Sequence, residues 1–568
     1  MKYDDLKEKL DASIDYMKQA TRDFSDVNEQ VYYRKPVIED GKMQFSDLVD
    51  NTLASYIEKL PKDIVQKIPT FTVDSKEDSK VWDLVYEGIL YDYIIDPNAF
   101  SSFSLLQKFW ETMRAGAIYG GALAYFLYSN VNGTATVEYR NVYWRDLYPE
   151  AYAGDGNSMN HVFIRGLYTH DDIVNMQENA TDKKTKKALE AVLNYGKGAK
   201  DRDMPRSAII QNLPSNLYEL FLYIDRKQMI LFSDNTGEII EAEDNVLGEL
   251  PIEMFYSDYD RISFFGRSLI DMAYPQQQAL TSFLRNFIYT SDYNTKPAKF
   301  VKGMALNEET FDLEKDNTMF LGDSDGDMKL LKIDTDIYRD FNSIYSLLKA
   351  CILTSLPASS DTSISAEVGD PTYSKTPAGV KDQEAKATIG NNYYRKAFEH
   401  FLSNTLNKML NIFLRESAKA GVPFKLQFGT KYAKLIREED PRMLDEDNTL
   451  VIDPKGIKNV RVNIEFNSTR EIAKEEDMKR LQTFISGLFE LGKSNAQIGE
   501  ALKYVLPVLI QELAKNSNLE NSDKIAELLK QGLETVNAQA EQQQAQQAQE
   551  QQQALPQQLQ ANAGGGYQ

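Results

Sequence analysis

One stretch of the sequence has the residue types and spacing of a phosphate-binding loop. The segment GLFELGKS, Gly487 to Ser494, matches G-x-x-x-x-G-K-[ST], in which backbone N–H groups and the lysine hold nucleotide phosphates. Such a loop must follow a strand, but the apolar residues between the two glycines extend the stripe of a preceding helix. Gly492 then suits the end of that helix, and Ser494 suits the cap of the next one. We interpret the segment as a helix–turn–helix junction, with an ATP-hydrolysing motor using Lys493 and Ser494 as an alternative.

The other residues that could do chemistry do not form a working pattern. Asp323, Asp325 and Asp327 alternate as in a calcium loop, but Met328 stands where that loop needs glycine, and no glutamate follows at the last ligand position. The chain has three histidines and one cysteine, none of them in a metal-ligand spacing. No G-x-S-x-G nucleophile elbow is present. We therefore expect no catalytic residue, no metal and no cofactor.

The composition limits the class of protein. A single cysteine, Cys351, excludes an internal disulfide framework and favours a reducing cytoplasm. The N-terminus is charged and has no apolar signal segment, and no window of about eighteen apolar residues predicts a membrane span. The net charge of −21 argues against tight clamping of nucleic acid. An acidic wall would let a duplex slide, although surface acids that keep the chain soluble are the simpler interpretation.

The first half of the chain predicts a large mixed α/β domain over residues 1–260. A helical stretch over 80–119 ends at Gly116, Gly120 and Gly121 and is followed by strand signals. Residues 122–128 and 134–139 read as two strands joined by the turn Asn132-Gly133.

The second half predicts two helices that bracket a compact insert. Pro275 suits a first helical turn, so the first helix should begin near Tyr274. The second should run from about Asp336 to Pro357. Apolar stripes mark both helices, and each stripe is wide enough to pack on a neighbour. The stripe residues are Leu280, Phe283, Leu284, Phe287, Ile288, Ile337, Phe341, Ile344 and Leu348.

The order of the remaining segments completes the predicted organisation. A long loop without periodicity precedes a very long helix, and two strand candidates flank an acidic connector. Capping and apolar patterns then predict further helices, followed by a low-complexity tail rich in Gln and Ala.

Three stretches carry a resemblance to a known family. They are WETMRAGAIYGGALAY with YRNVYWRDLYPE after it, DYDRISFFGRSLIDMAYPQQQALTSFLRN, and GDPTYSKTPAGVKDQEAKA. Together with the order of elements, they resemble the portal proteins of tailed double-stranded DNA bacteriophages. The resemblance covers nearly the whole chain and rests on architecture and degenerate motifs. The Gln-rich tail departs from any fixed family pattern.

The resemblance implies an α+β fold with a mixed α/β wing, a two-helix stem, a small α/β clip, a long channel helix and a helical crown. Its implied boundaries are 1–265 wing, 266–294 first stem helix, 295–335 clip, 336–356 second stem helix, 357–377 tunnel loop, 378–420 long helix, 421–467 wing strands, 468–536 crown and 537–568 tail.

The resemblance also implies a function without catalysis. Twelve copies would form a ring at the unique vertex of the capsid, in the virion, after synthesis in the host cytoplasm. Double-stranded DNA would pass through the ring during packaging and ejection. The expected partners are the large terminase subunit, head–tail adaptor or connector proteins, and the major capsid protein with its scaffold; no membrane is involved.

Specific residues are implied for each role. The stem packing residues are the stripe residues given above. The DNA-channel residues are Ser359, Ser360, Thr362, Ser363, Ser365, Tyr373, Ser374, Lys375, Lys381 and Lys386. The clip residues that would dock the terminase and adaptors are Lys296, Lys299, Lys302, Glu308, Glu309, Asp323, Asp325 and Asp327.

Several alternatives stay open from the sequence. The loop 357–377 would also suit a disordered surface loop, and Lys381 and Lys386 would also suit solvated lysines at a helix start. The clip lysines would also suit an ordinary strand surface. A different structural virion protein, such as an internal head protein or a tail component, is the main alternative function.

Overall fold

The structure is a computed structural model of the chain. It describes residues 2–21, 24–34, 48–65, 68–69, 71–74, 79–99, 104–131, 134–196, 198, 217–260, 262–295, 298–302, 319–322, 327–331, 337–356, 377–419, 421–454 and 461–464. The predicted crown and tail lie outside these residues.

The described residues confirm an α+β chain with separate helical and sheet regions. The helices are α1 (Tyr3–Ala20), α2 (Gln30–Tyr32), α3 (Thr52–Ile64), α4 (Lys80–Ile89), α5 (Asp96–Ala99), α6 (Leu105–Tyr119), α7 (His170–Asn179), α8 (Lys183–Tyr195), α9 (Leu269–Thr295), α10 (Ile337–Thr354), α11 (Pro377–Ala418) and α12 (Thr430–Glu439). Two π-helical segments, Phe24–Glu29 and Leu90–Ile95, and a 3₁₀ turn, Trp144–Asp146, join some of them.

The strands form five sheets. They are β1 (Phe71–Asp74), β2 (Gly121–Val131), β3 (Thr134–Val142), β4 (Leu147–Pro149), β5 (His161–Tyr168), β6 (Tyr218–Asp225), β7 (Gln228–Ser233), β8 (Glu238–Asp244), β9 (Ile252–Tyr256), β10 (Ala298–Lys302), β11 (Met319–Gly322), β12 (Asp327–Leu331), β13 (Phe424–Gln427), β14 (Thr449–Ile452) and β15 (Arg461–Ile464). Their orders are β3-β2-β9, β4-β5-β6-β7-β8, β11-β10-β12, β13-β14 and β1-β15.

The β2–β3 hairpin is the predicted one. Val131 pairs with Thr134, so two residues join the strands, as the Asn-Gly turn requires. Gly120 lets α6 turn directly into β2, since its φ is 89° and an added Cβ would lie 2.8 Å from the carbonyl oxygen of Phe265. The central strand β2 also pairs antiparallel with β9, which closes the three-stranded sheet.

The long helix α11 packs across this three-stranded sheet. The ring of Phe255 on β9 contacts Tyr394, Phe398 and Phe401 of α11, with centroids 5.5 to 5.7 Å apart. Beside these rings lies a polar contact that the sequence did not indicate. Lys408 Nζ donates to Glu253 Oε2 at 2.7 Å and to the carbonyl of Ile252 at 2.6 Å. The long helix is therefore held by aromatic packing and by a buried ion pair.

We expect Lys408→Met to lower the free energy of unfolding by about 2 kcal/mol, because Glu253 would stay buried without its cation. Asn404 still donates to Glu253 Oε1 at 3.0 Å, which limits the loss. Urea denaturation of the purified chain measures this change. The double variant Lys408→Met/Glu253→Leu should recover at least half of the lost stability. If it were instead as unstable as the summed losses of the two single variants, Lys408 and Glu253 would not stabilise each other.

The helix–sheet–helix arrangement of the second half agrees with the predicted order, with one boundary corrected. The first helix, α9, begins at Leu269 instead of near Tyr274, so Pro275 lies inside it. A capping box explains the earlier start: Asp271 N donates to Ser268 Oγ at 2.9 Å, and Ser268 N donates to an Asp271 carboxylate oxygen at 3.0 Å.

The acidic connector between the two late strand candidates holds more structure than the sequence predicted. It contains the helix α12 and the strand β14, which pairs antiparallel with β13. Among the described residues, no helix is long and apolar enough to span a membrane.

Candidate functional site

The two stem-like helices contact each other within one chain through aromatic rings. The ring of Phe341 on α10 lies 5.4 Å from Phe283 and 4.0 Å from Phe287 on α9, measured between centroids. Phe341 also stacks on Tyr345, with an angle of 8° between the ring planes. Three rings from α10 and α9 therefore form the centre of the helix pair, and part of the predicted apolar stripes is used inside the chain.

Polar contacts fix the base of the pair on the N-terminal domain. Gln277 Nε2 donates to the carbonyl of Asp50 at 2.8 Å, and the N–H of Leu53 donates to Gln277 Oε1 at 3.3 Å. Gln277 is buried, so both halves of its amide are satisfied there. Tyr345 lies close enough to Asp50 to feel its charge, which adds to burial in raising the pKa of the Tyr345 hydroxyl. The helices run antiparallel. Phe341 of α10 lies beside Phe287 of α9, whereas Tyr345, later in α10, approaches Asp50, which Gln277, earlier in α9, also contacts.

A second apolar stripe of α10 stays uncovered in the single chain. Ile344, Leu347 and Cys351 are exposed, and Leu347 has 57% of its surface open. At 3.6 residues per turn these three residues fall within a sector of about 60°. The middle of that sector lies about 110° round the helix from the face that carries Phe341 and Tyr345. The exposed stripe therefore does not belong to the contact with α9.

The helix α9 also has an exposed apolar surface, on a different side of the pair. Ile288 is 41% exposed and Tyr289 is 39% exposed. Their midpoint lies nearly opposite the Phe283 and Phe287 face that meets α10. We call Ile344, Leu347 and Cys351 the α10 stripe, and Ile288 and Tyr289 the α9 back. The pair thus presents two apolar surfaces that point in different directions.

The predicted stem residues divide between these environments. Leu280 is fully buried at the base. Ile288 and Ile344 are exposed, and Ile337 begins α10. The partly buried ones lie between these extremes: Phe283, Leu284, Phe287, Phe341 and Leu348. Sequence reasoning missed Leu347, Cys351 and Tyr289, although the spacing of Ile344, Leu347 and Cys351 was a readable signal.

The predicted clip contains a three-stranded sheet. The strand β10 lies in the middle, parallel to β11 and antiparallel to β12. Lys302 on β10 pairs in register with Asp327, the first residue of β12. Lys299 pairs in register with Met319 and with Leu330. The other predicted docking residues lie outside the described residues: Lys296, Glu308, Glu309, Asp323 and Asp325.

Most predicted DNA-channel residues lie outside the described residues. These are Ser359, Ser360, Thr362, Ser363, Ser365, Tyr373, Ser374 and Lys375. Lys381 and Lys386 fall in the first three turns of α11. Their spacing of five residues places them about 140° apart on the helix, so they do not share a face.

The histidines have ordinary protein partners. His161 is buried, with Nδ1 3.7 Å from Glu150 Oε1, and burial lowers its pKa. His170 contacts the hydroxyl of Tyr218, and His400 contacts Asn404. Among the described residues, no group of three or more His, Cys, Asp or Glu side chains is placed to hold a metal ion. Gly487–Ser494 lies outside the described part of the chain.

No protein-family model matches the sequence, and no curated protein matches it.

Proposed function

We propose that this chain is the subunit of a ring that conducts double-stranded DNA, in the manner of the portal proteins it resembles. The ring would hold about twelve copies at one capsid vertex of a virion. It would act in packaging and ejection without catalysis of its own.

One observation carries the proposal: the α9–α10 pair has two uncovered apolar surfaces on different sides. Soluble single chains rarely leave such surfaces open, and large uncovered patches mark interaction sites. A contact between two different surfaces of identical copies is heterologous, and heterologous contacts close into rings when the rotation fits. We therefore infer that the α10 stripe of one copy covers the α9 back of the next.

The order of elements supports the remaining roles. The sheet β11-β10-β12 lies between α9 and α10 in the sequence, as a clip does, and would dock the terminase and the head–tail adaptors. The 42-residue helix α11 follows the tunnel-loop position, as a channel helix does. The major capsid protein and its scaffold would surround the wing.

The single native cysteine gives a direct test of the contact between copies. In the variant Ile288→Cys, we expect a short bis-maleimide to link Cys351 of one copy to position 288 of the next. Because every copy would carry both positions, a denaturing gel should show a ladder of multimers and not a single dimer band. The wild-type chain has one thiol per copy and cannot form a ladder.

Two controls sharpen the crosslinking result. Ala279→Cys also places a thiol at an exposed position of α9, but about 130° round the helix from the α9 back, and should give no ladder. Ile288→Cys/Cys351→Ser should give none either. If the wild-type chain gave a crosslinked dimer and Ile288→Cys gave no ladder, Cys351 of one copy would lie beside Cys351 of another copy. That result would contradict the ring. Electron micrographs without a central channel would favour another structural virion protein.

A further inference from the structure

A cavity of about 510 Å³ lies between the three-stranded sheet and the five-stranded sheet. Its floor is apolar and half-buried, formed by Ile164, Leu222, Met229 and Leu231 of the five-stranded sheet. These side chains share one face of that sheet, since Ile164 pairs with Leu222 and Leu222 pairs with Leu231. The helices α7 and α8 pack around Leu220 on that face, and Leu231 lies at the edge of that cluster.

One tyrosine points an unpaired hydroxyl into this cavity. Tyr125 is only 6% exposed, and no described residue hydrogen-bonds its hydroxyl. That hydroxyl lies within electrostatic reach of Arg140, Tyr168 and Glu243, and burial raises its pKa, so it stays protonated. The Tyr125 hydroxyl lines the cavity and is open to it, so it can donate to an acceptor atom of a ligand held there.

The charges around the cavity are arranged unevenly. At one end, Glu241 has no cation partner among the described residues, and burial together with Glu243 raises the pKa of its carboxyl. Glu243 lies 3.7 Å from Lys419, and both side chains are about half exposed. This end of the cavity therefore repels further negative charge and favours a cation.

The arginines around the cavity are already paired. Arg140 donates Nε and Nη2 to Glu138 Oε2, at 2.9 and 2.7 Å, which leaves Nη1 available. Arg165 is buried and pairs with Asp146 at 2.8 Å and Glu219 at 3.6 Å. The Arg140 end therefore offers N–H donors to a neutral acceptor such as a peptide carbonyl.

We propose that this cavity binds a lysine or arginine side chain presented by a peptide segment of a partner protein. The cation lies at Glu241 and Glu243, and its methylene groups cover Leu222 and Leu231. The tyrosine rings around the cavity add cation–π attraction. The segment's backbone carbonyls accept hydrogen bonds from the Tyr125 hydroxyl and from Arg140 Nη1.

The uneven charge favours a protein segment over a free polyamine. A polyamine carries a second ammonium a few carbons from the first, and that charge would meet the guanidinium of Arg140. A peptide carries uncharged carbonyls at the same distance. The cavity volume also exceeds a single side chain and is of the size that surrounds a small ligand or a short segment.

The proposal is tested with Nα-acetyl-arginine N-methylamide as the probe and the full-length chain as the receptor. Saturation-transfer NMR measures the dissociation constant. We expect the probe to bind at least tenfold more tightly than its citrulline analogue, which has the same shape without the charge. The variant Glu241→Gln/Glu243→Gln should weaken binding at least tenfold.

The matched control is Glu178→Gln/Glu190→Gln, which removes the same charge from exposed positions on α7 and α8. It should bind the probe as the wild-type chain does. Equal binding of the citrulline analogue, or no loss in the Glu241→Gln/Glu243→Gln variant, would overturn the proposal. Spermidine binding more tightly than the probe would overturn the assignment to a protein segment.

Discussion

The variant Ile344→Asp/Leu347→Asp is expected to stay folded and to remain monomeric under conditions in which the proposed ring of wild-type copies assembles. Both side chains are already exposed in the single chain, so their replacement removes little from its core. In a ring each would be buried against the next copy, where an apolar side chain contributes about 1.5–3 kcal/mol and a buried carboxylate costs more. We expect the contact to weaken by at least about 3 kcal/mol, more than a hundredfold.

Mass photometry and sedimentation velocity measure the oligomeric state, and circular dichroism checks the fold. The matched control is Asn342→Asp/Ser346→Asp, which adds the same two charges about 150° round α10 from the α10 stripe, at an exposed and a half-buried position. It should still assemble. If the Ile344→Asp/Leu347→Asp variant still assembled into rings, the α10 stripe would not be part of the interface. If both variants failed to assemble, charge repulsion alone would explain the loss.

The helices and the hairpin of this fold were predictable because their signals are local. Periodic apolar residues mark α9 and α10 within each segment, and the Asn-Gly turn specifies its own hairpin. The start of α9 was misread because Pro275 was given more weight than the capping pair Ser268 and Asp271. Both signals stand in the sequence, and the hydrogen bonds of the cap decide between them.

The environment of each stripe could not be predicted in the same way. The sequence shows that α10 has apolar residues over a wide sector, but periodicity does not say which part meets α9. The stacking of Phe341 on Phe283 and Phe287 settles that question and leaves Ile344 and Leu347 outside.

The cavity and the buried polar contacts depend on residues that are distant in the sequence. Tyr125 and Glu243 approach each other because two separate sheets pack together, and Lys408 reaches Glu253 across 155 positions. No spacing rule connects such pairs. These contacts are recognised only in the folded structure, where a polar side chain is found buried away from water.

A buried carboxylate under the helix pair gives the second large expected effect. Glu29 is fully buried, and its Oε1 accepts hydrogen bonds from Trp144 Nε1 at 2.8 Å, the Tyr143 hydroxyl at 2.7 Å and the Tyr119 hydroxyl at 3.0 Å. Its neighbour Asn28 donates to the carbonyl of Ile118 at 2.6 Å. This network joins the N-terminal segment to α6 and to the 3₁₀ turn before β4.

The variant Glu29→Ala should therefore lose about 4 kcal/mol of the free energy of unfolding. Two buried donors, Tyr119 and Trp144, would lose their acceptor at about 1–3 kcal/mol each when no water replaces it, the half-buried Tyr143 would lose the same hydrogen bond, and a small cavity would add to the cost. Alanine is the best helix former, so the loss would not come from the backbone propensity of this segment. Urea denaturation followed by tryptophan fluorescence measures it, since Trp144 belongs to the network.

The conservative variant Glu29→Gln separates the hydrogen bonds from the packing. Its amide oxygen still accepts and its volume is nearly unchanged, so we expect a loss of only about 1–2 kcal/mol, the difference between a charged and a neutral acceptor. If Glu29→Ala had the same free energy of unfolding as Glu29→Gln, the three donors would have found other partners. Because Phe24 of the same segment packs on Phe265, three residues before the cap of α9, the less stable variant should also form fewer rings at equal concentration. The wild-type hydrogen bonds of Glu29 thus hold the segment whose Phe24 packs beside the start of α9.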